Sequence, residues 1–197
     1  LLNVTRLYNS ICSVGAMARG LQLTSAYALE RRAFDRLIID QPLHIETMAT
    51  MRARTAAATE LVFHAVELLG KDECGQATES ESRQLRILTP LAKLYTAREA
   101  IACASETIES FGGAGYIETT GVARLLRDAQ VFSIWEGTTN VLSLDTLRAI
   151  SKDQALQPLI ADLLDRLKGV PSSLPKTRIE RRISALAHHA KKKSVLS

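Results

Sequence analysis

Residues 2–34 read LNVTRLYNSICSVGAMARGLQLTSAYALERRAF. Val4, Leu7, Tyr8, Ile11, Val14, Ala18 and Leu21 recur at steps of three and four residues, and Ala28 and Leu29 carry the pattern on. That period lays apolar side chains along one face of an α-helix. The spacing predicts a single helix from Leu2 to Phe34. A helix well over 20 residues long exceeds the ordinary globular length and predicts a bundle of long helices.

The sequence beyond it keeps the helical period. In IIDQPLHIE (Ile38–Glu46), Asp40 or Gln41 is a capping candidate and Pro42 suits the first position of a helix. The second helix carries Leu43, Met48, Met51, Leu61, Val62, Ala65, Leu68 and Leu69, with Gly70 as its expected stop. KDECGQATES (Lys71–Ser80) reads as a polar loop. A third helix is expected from Ser80 or Ser82 to Phe111, with a kink or a fresh start at Pro90. The glycines of GGAG (Gly112–Gly115) end it. A short helix over Thr119–Asp128 follows, then FSIWEGTTN (Phe132–Asn140) as an extended loop, then a helix capped by Thr138. Two further helices are expected at Asp153–Lys168 and Lys176–Lys193, joined by the linker KGVPSSLPK. No stretch alternates with period two, so no sheet is predicted, and no repeat of solenoid length occurs. The fold class is all-α: an up-and-down helical bundle with long antiparallel helices, comprising residues 1–150, with additional helices and a basic tail over residues 151–197.

Bulk properties agree. The chain has 197 residues with 46% hydrophobic side chains, enough for an ordinary core. No run approaches the roughly 20 apolar residues of a membrane span. The first residues lack an initiator Met and already read as a helix in progress, which suggests a piece of a longer precursor. Cys12, Cys74 and Cys103 are odd in number, far apart and without zinc spacing, as expected of free thiols in a reducing compartment. The histidines form no convincing ligand set, so no metal site is predicted. The formal charge of +4 is unevenly spread. Lys176, Arg178, Arg181, Arg182 and Lys191–Lys193 face Glu180 alone. Two readings remain open there: a solvated tail, or a surface for nucleic acid or another polyanion.

Three stretches carry candidate chemistry. FSIWEGTTN sets one carboxylate, Glu136, among Phe132, Ile134 and Trp135. Apolar neighbours disfavour the charged form of a carboxyl group, raise its pKa and make it a better base. Read alone, Glu136 is equally an acid at a helix start, favoured by the helix dipole. YALERRAFDRLIIDQPL (Tyr27–Leu43) presents Arg31, a solvated helix charge on its own. ESFGGAGYIE (Glu109–Glu118) presents glycines that are at least a helix stop.

In this order and spacing, YALERRAFDRLIIDQPL, ESFGGAGYIE and LLRDAQVFSIWEGTTNVLSLDTLR (Leu125–Arg148) resemble the C-terminal helical domain of acyl-CoA dehydrogenases over roughly Leu2–Ile150. The Trp before the Glu, the LDTLR run after it and QPL ten residues beyond Arg31 are most similar to the alkylation-response, AidB-like branch. The resemblance implies FAD as cofactor and an acyl-CoA thioester as substrate. Glu136 matches the EGT glutamate that removes the α-proton while the β-hydrogen leaves as hydride to the flavin. Arg31 and Phe34 match an R-x-x-F-G motif that reaches the FAD of a neighbouring subunit, with Asp35 in place of the Gly. A guanidinium suits a pyrophosphate through paired hydrogen bonds. Gln41 matches a companion glutamine. Gly112, Gly113 and Gly115 match G-G-x-G, where bare backbone approaches the adenine portion. Glu109 stands where dehydrogenases commonly carry Gln. Thr138 and Asn140 match EGT-x-Q, with Asn for Gln. Arg127 and Asp128 match an R-D pair expected to brace the loop as an ion pair.

The resemblance further implies a homodimer or homotetramer and electron-transfer flavoprotein as electron acceptor, in a mitochondrial, peroxisomal or bacterial cytoplasmic setting. Family members have about twice this length, so this chain alone is expected to bind flavin poorly and to lack turnover. Two other functions stay open: a nucleic-acid-associated flavoprotein of the alkylation-response type anchored by the basic tail, and a non-catalytic helical oligomerisation module.

Overall fold

A computed structural model describes residues 2–194, with side chains for all of these except residues 174 and 189–194. The described residues form eight α-helices: α1 (Leu2–Glu30), α2 (Pro42–Glu73), α3 (Glu79–Phe111), α4 (Gly113–Tyr116), α5 (Val122–Phe132), α6 (Thr139–Ser151), α7 (Leu156–Lys168) and α8 (Leu174–Ser194). Short 3-10 turns occupy Ile38–Asp40 and Glu118–Thr120. None of these helices is long and apolar enough to cross a membrane. The side chains of Lys191–Lys193, on which the polyanion reading depends, lie outside the described residues.

Contacts between Cα atoms divide the chain into two compact units, one of Leu1–Glu67 with Thr89–Ser143 and one of Leu68–Leu88 with Leu144–Ser197. In the first unit α1 and α3 run in the same direction. The Cys103 thiol donates to the carbonyl of Met17 at 3.7 Å, and one turn further on Gly20 lies against Thr107. A Cβ on Gly20 would sit 2.6 Å from the Thr107 hydroxyl oxygen, so the absent side chain sets the closeness of the two helices. Helix α2 runs back along α3 in the opposite direction, its Arg54 pairing with Glu99 at 3.6 Å. Val14, Met17, Met51, Ala58, Val62, Ala100 and Cys103 form the core of this up-and-down arrangement. Small residues on α3 let the long helices pack closely and bury their apolar faces.

Several element ends differ from the sequence-based expectation. Helix α1 stops at Glu30, four residues before Phe34. Beyond it Arg32–Ala33 (β1) pairs antiparallel with Arg36–Leu37 (β2), a two-residue hairpin where no strand was expected. Phe34 and Asp35 form its turn with φ of 53° and 63°. Positive φ at both central residues is what a tight right-twisting hairpin requires, and Asp adopts it more readily than most residues. Gly70 does not end α2. The helix continues to Glu73 and closes at Gly75 (φ 67°), where the Gln76 amide reaches the Lys71 carbonyl at 2.8 Å. Gly75 donates to Asp72 at 3.1 Å in the same motif, satisfying carbonyls that a helix end leaves bare.

Helix α3 begins at Glu79 and passes through buried Pro90 without a fresh start. Thr78 and Glu81 cap it reciprocally: the Glu81 amide donates to the Thr78 hydroxyl at 3.2 Å and the Thr78 amide to the Glu81 carboxylate at 2.8 Å. Gly121, at φ 73°, splits the expected short helix into a 3-10 turn and α5, and α5 runs on to Phe132. In the second unit Arg86 joins Asp145 at 2.7 Å and Asp153 at 2.9 Å, and α7 packs on α8.

Candidate active site

Glu136 stands in a tight turn between α5 and α6, not in an extended loop. Ile134 and Trp135 both donate their amides to the Val131 carbonyl at 3.0 Å. The backbone then enters the left-handed region at Glu136 (φ 60°) and stays there at Gly137 (φ 113°). Thr138 takes the N-cap position of α6, its carbonyl accepting from the Leu142 amide at 3.0 Å. A left-handed backbone at a side chain other than glycine is strained by roughly 1–3 kcal/mol and persists where surrounding contacts hold it.

Those contacts come from α1 and α3. The Thr5 hydroxyl donates to Glu136 Oε2 at 2.9 Å. Arg6 Nε donates to the Glu136 carbonyl at 3.3 Å, and Lys93 Nζ donates to the Gly137 carbonyl. Arg6 is 9% exposed and Lys93 is 0% exposed. Burial pushes the Lys93 amine down to about 8; the charge of Arg6 adds to this and the Glu136 carboxylate opposes it. The carboxylate itself is half-buried.

The expected apolar wrap is corrected. Ile134 is 65% and Trp135 57% exposed, and Phe132 packs instead against the core of the first unit. The turn directs successive side chains to different sides, so what meets the carboxylate is the Thr5 hydroxyl, while two buried cations hold the backbone carbonyls of the turn. The expected Arg127–Asp128 pair is also corrected. Neighbours on a helix diverge, so Arg127 grips Glu118 with both terminal nitrogens at 2.6 and 2.9 Å, while Asp128 pairs with Arg124 at 3.5 Å.

A second constellation lies along α2 and α3. Phe34, Gln41, His44, Glu106, Glu109 and Ser110 line a cavity of about 560 Å³. Three of the residues singled out from sequence therefore share one hollow. Phe34 is 92% exposed at the hairpin tip. Gln41 is oriented by its amide, which donates to the Ala33 carbonyl at 3.4 Å. A neighbouring hollow of about 300 Å³ is lined by Thr50, Met51, Arg54 and Cys103, among others. Neither cavity includes Glu136. The Arg31 side chain is exposed, while its backbone anchors the hairpin by accepting from the Ile38 amide at 2.9 Å. Thr138 and Asn140 are exposed at the start of α6.

The glycine motif splits in two. Gly112 (φ 60°) and Gly113 have open space where a Cβ would stand. Gly115 is buried, and a Cβ there would lie 2.1 Å from the Ile108 carbonyl oxygen. Gly115 has a packing reason of its own, whereas Gly112 and Gly113 offer bare backbone outward. Tyr27 stacks on Phe111 at 4.2 Å and ties the end of α1 to the end of α3 beside them.

Residues 1–151 match the family model described as acyl-CoA dehydrogenase, C-terminal domain. The chain belongs to the acyl-CoA dehydrogenase family. Acyl-CoA dehydrogenase family member 11 of Caenorhabditis elegans is 43% identical over 86% of the chain and 27% of that protein. The crystal structure of C. elegans ACDH-11 in complex with C11-CoA superposes with a TM-score of 0.89 at 41% identity, over 97% of this chain and 33% of that one. Putative acyl-CoA dehydrogenase AidB of Escherichia coli is 30% identical over 84% of the chain and 30% of that protein, so the AidB-like relation holds too. The chain spans about a third of the length of these relatives. Within this acyl-CoA dehydrogenase domain, Thr5, Arg6, Lys93 and His44 were not singled out from sequence. The signal for Lys93 was a lysine among Thr89, Ala92, Thr96, Ala97 and Ala100 on one face of a helix. His44 Nε2 is buried without a partner, and burial lowers its pKa. Nothing in its sequence context marks it.

Proposed function

We propose that this domain supplies the base, and part of the cofactor cradle, of an FAD-dependent acyl-CoA dehydrogenase that introduces a double bond between Cα and Cβ of an acyl-CoA thioester. The observation that carries the reading is Glu136, held half-buried in a left-handed turn by Thr5 and by two buried cations. Backbone strain of this kind clusters at active sites and persists only where surrounding contacts hold it. Its role is to take the α-proton, whose bonding pair becomes the new double bond as the β-hydrogen departs with its own pair. FAD supplies, when bound, the two-electron acceptor for that hydride. The relative bound to C11-CoA supports an acyl-CoA substrate here.

The residues present fit the adenosine diphosphate end of FAD. Gly112 and Gly113 leave room for close approach to bare backbone. Gln41, Glu109 and Ser110 around the larger cavity can accept hydrogen bonds from hydroxyl and amino groups. The exposed Arg31 guanidinium is free to meet a pyrophosphate from outside the chain, and Phe34 offers an apolar face at the hairpin tip. Thr138 and Asn140 serve the flavin near the base. A cradle facing outward suits the cofactor of a second copy, hence a homodimer or homotetramer, with electron-transfer flavoprotein as the next carrier. Residues 151–197 are additional helices outside the catalytic bundle. These residues alone do not sustain turnover, because the acyl pocket requires further chain.

The test uses a full-length protein carrying this chain, loaded with FAD and mixed anaerobically with acyl-CoA. Bleaching of the flavin absorbance is expected in the parent, and Glu136→Gln lowers its rate by about 10²–10⁴-fold with FAD still bound. Bleaching at the parent rate in Glu136→Gln would refute the assignment.

A further inference from the structure

Glu136 and Gly137 place two successive residues in the positive-φ half of conformational space. A turn of this kind relaxes readily unless its peptide planes are held. Both of its carbonyls are taken by buried cations, and the two cations stand on different helices. Arg6 on α1 takes the Glu136 carbonyl and Lys93 on α3 takes the Gly137 carbonyl. Thr5, also on α1, takes the far end of the side chain at Oε2. Fixing the Glu136 carbonyl fixes the peptide plane beside its Cα. Fixing the next plane prevents a return to the right-handed conformation that a glutamate prefers. The hydroxyl then sets the remaining side-chain torsions.

The chemistry of Lys93 is unusual enough to need a reason. An ammonium taken wholly out of water is unfavourable unless strong acceptors replace its hydration. An apolar residue would fill the same place among Thr89, Ala92, Thr96 and Ala97 without that penalty. Burial and Arg6 both press on its proton, yet its pKa of about 8 leaves it charged at neutral pH. What the cation provides there is a strong donor aimed at the turn.

We propose that Lys93, Arg6 and Thr5 form a three-point clamp that aims the Glu136 carboxylate, with Lys93 as its central positioning residue; this rests on Glu136 being the α-proton base.

The experiment compares Lys93→Met, Thr5→Val and Glu136→Gln in the full-length, FAD-loaded protein. Rapid mixing with acyl-CoA gives the limiting rate of flavin reduction and the apparent substrate dissociation constant separately. Lys93→Met is expected to lower the limiting rate by about 10- to 100-fold. Thr5→Val, nearly isosteric and removing one hydrogen bond, is expected to lower it by about 2- to 10-fold. Both leave FAD content and substrate dissociation constant near those of the parent. Both raise the kinetic isotope effect with α-deuterated acyl-CoA, because a misaimed base makes proton removal more rate-limiting. A general packing role would instead lower FAD content, substrate affinity and rate together. That pattern in Lys93→Met, or parent rates in both variants, overturns the clamp. If Lys93→Met does not fold, Thr5→Val decides alone: an unchanged rate and isotope effect reject the proposal. Parent-like reduction by Glu136→Gln is a different failure, since it removes the base assignment on which the clamp depends.

Discussion

Lys93 shows how a single buried charge leaves a measurable trace beyond its contacts. Its pKa in the folded protein, about 8, lies below the ordinary lysine value of about 10.4. The native state therefore binds fewer protons than the unfolded state between those two values, and this group's contribution to stability rises with pH across that window. Below about pH 8 both states are protonated and the burial penalty is felt in full. Cys103 acts with the opposite sign: burial pushes its thiol up to about 11, so its contribution falls as pH rises past the ordinary thiol range. The two overlap, so the informative quantity is the difference between parent and Lys93→Met. Denaturant titrations from pH 7 to 10 should show the parent gaining on the variant by up to about 1.4 kcal/mol per pH unit above pH 8. A difference that stays flat would mean the amine is not desolvated. The glycines make a second contrast at this scale. Gly115→Ala forces a Cβ onto the Ile108 carbonyl and is expected to destabilise by about 2–4 kcal/mol. Gly113→Ala, with open space, should change the urea midpoint little while weakening FAD binding in the full-length protein. Sequence reading identified both glycines from one motif and could not divide them, because only the fold brings Ile108 under one and solvent under the other.

At the scale of elements, helices were far more legible than their ends. The apolar period of α1, the Pro42 start of α2 and the Phe111 end of α3 are all readable in the chain. The ends that misled were decided by backbone conformation. Phe34 and Asp35 adopt a left-handed turn that Phe34 gives no sign of, and the chain uses them in a hairpin instead of the last turn of α1. Gly70 offered a stop, but the closing motif needs a positive φ two residues beyond the helix, and Gly75 supplies it. The start of α3 rests on the Thr78–Glu81 box, which Lys71 reinforces at 3.0 Å. Thr78→Ala should therefore cost about 1 kcal/mol, read as a lowered urea midpoint at unchanged slope. The Thr78 amide, followed by Lys71 and the Thr78 hydroxyl, holds the Glu81 carboxyl at about 2. A folded value below the unfolded one gives stability that is present above about pH 4.3 and is lost as pH falls towards 2. The parent and Glu81→Gln should accordingly differ at pH 6 and converge in strong acid. An undiminished difference at pH 2 would place the effect elsewhere.

At the scale of the whole molecule, the family was readable from three motifs in order, since each places particular side chains where a helix ends and the chain turns. The physical setting of Glu136 was not readable. Apolar letters around Glu136 suggested a dry wrap, whereas the fold turns Ile134 and Trp135 outward and brings Thr5, Arg6 and Lys93 in from helices about 130 and 40 residues away in sequence. Contacts of that separation leave no local pattern. Under the proposed function, the outward-facing cradle of Phe34, Gln41 and Gly112–Gly113 is likewise half of a site that a second copy would complete. Arg31→Ala in the full-length protein should then release FAD and raise its dissociation constant by about 10-fold or more, the loss expected of a charge-assisted contact. Unchanged FAD retention on gel filtration would speak against a shared cradle. Removal of the α-proton by Glu136, as proposed, is read by solvent exchange. The FAD-loaded full-length protein, held with a saturated acyl-CoA in D2O, should wash deuterium into Cα, as mass spectrometry of the recovered thioester reads. Glu136→Gln should abolish that incorporation with FAD still bound; equal incorporation in parent and variant would contradict it.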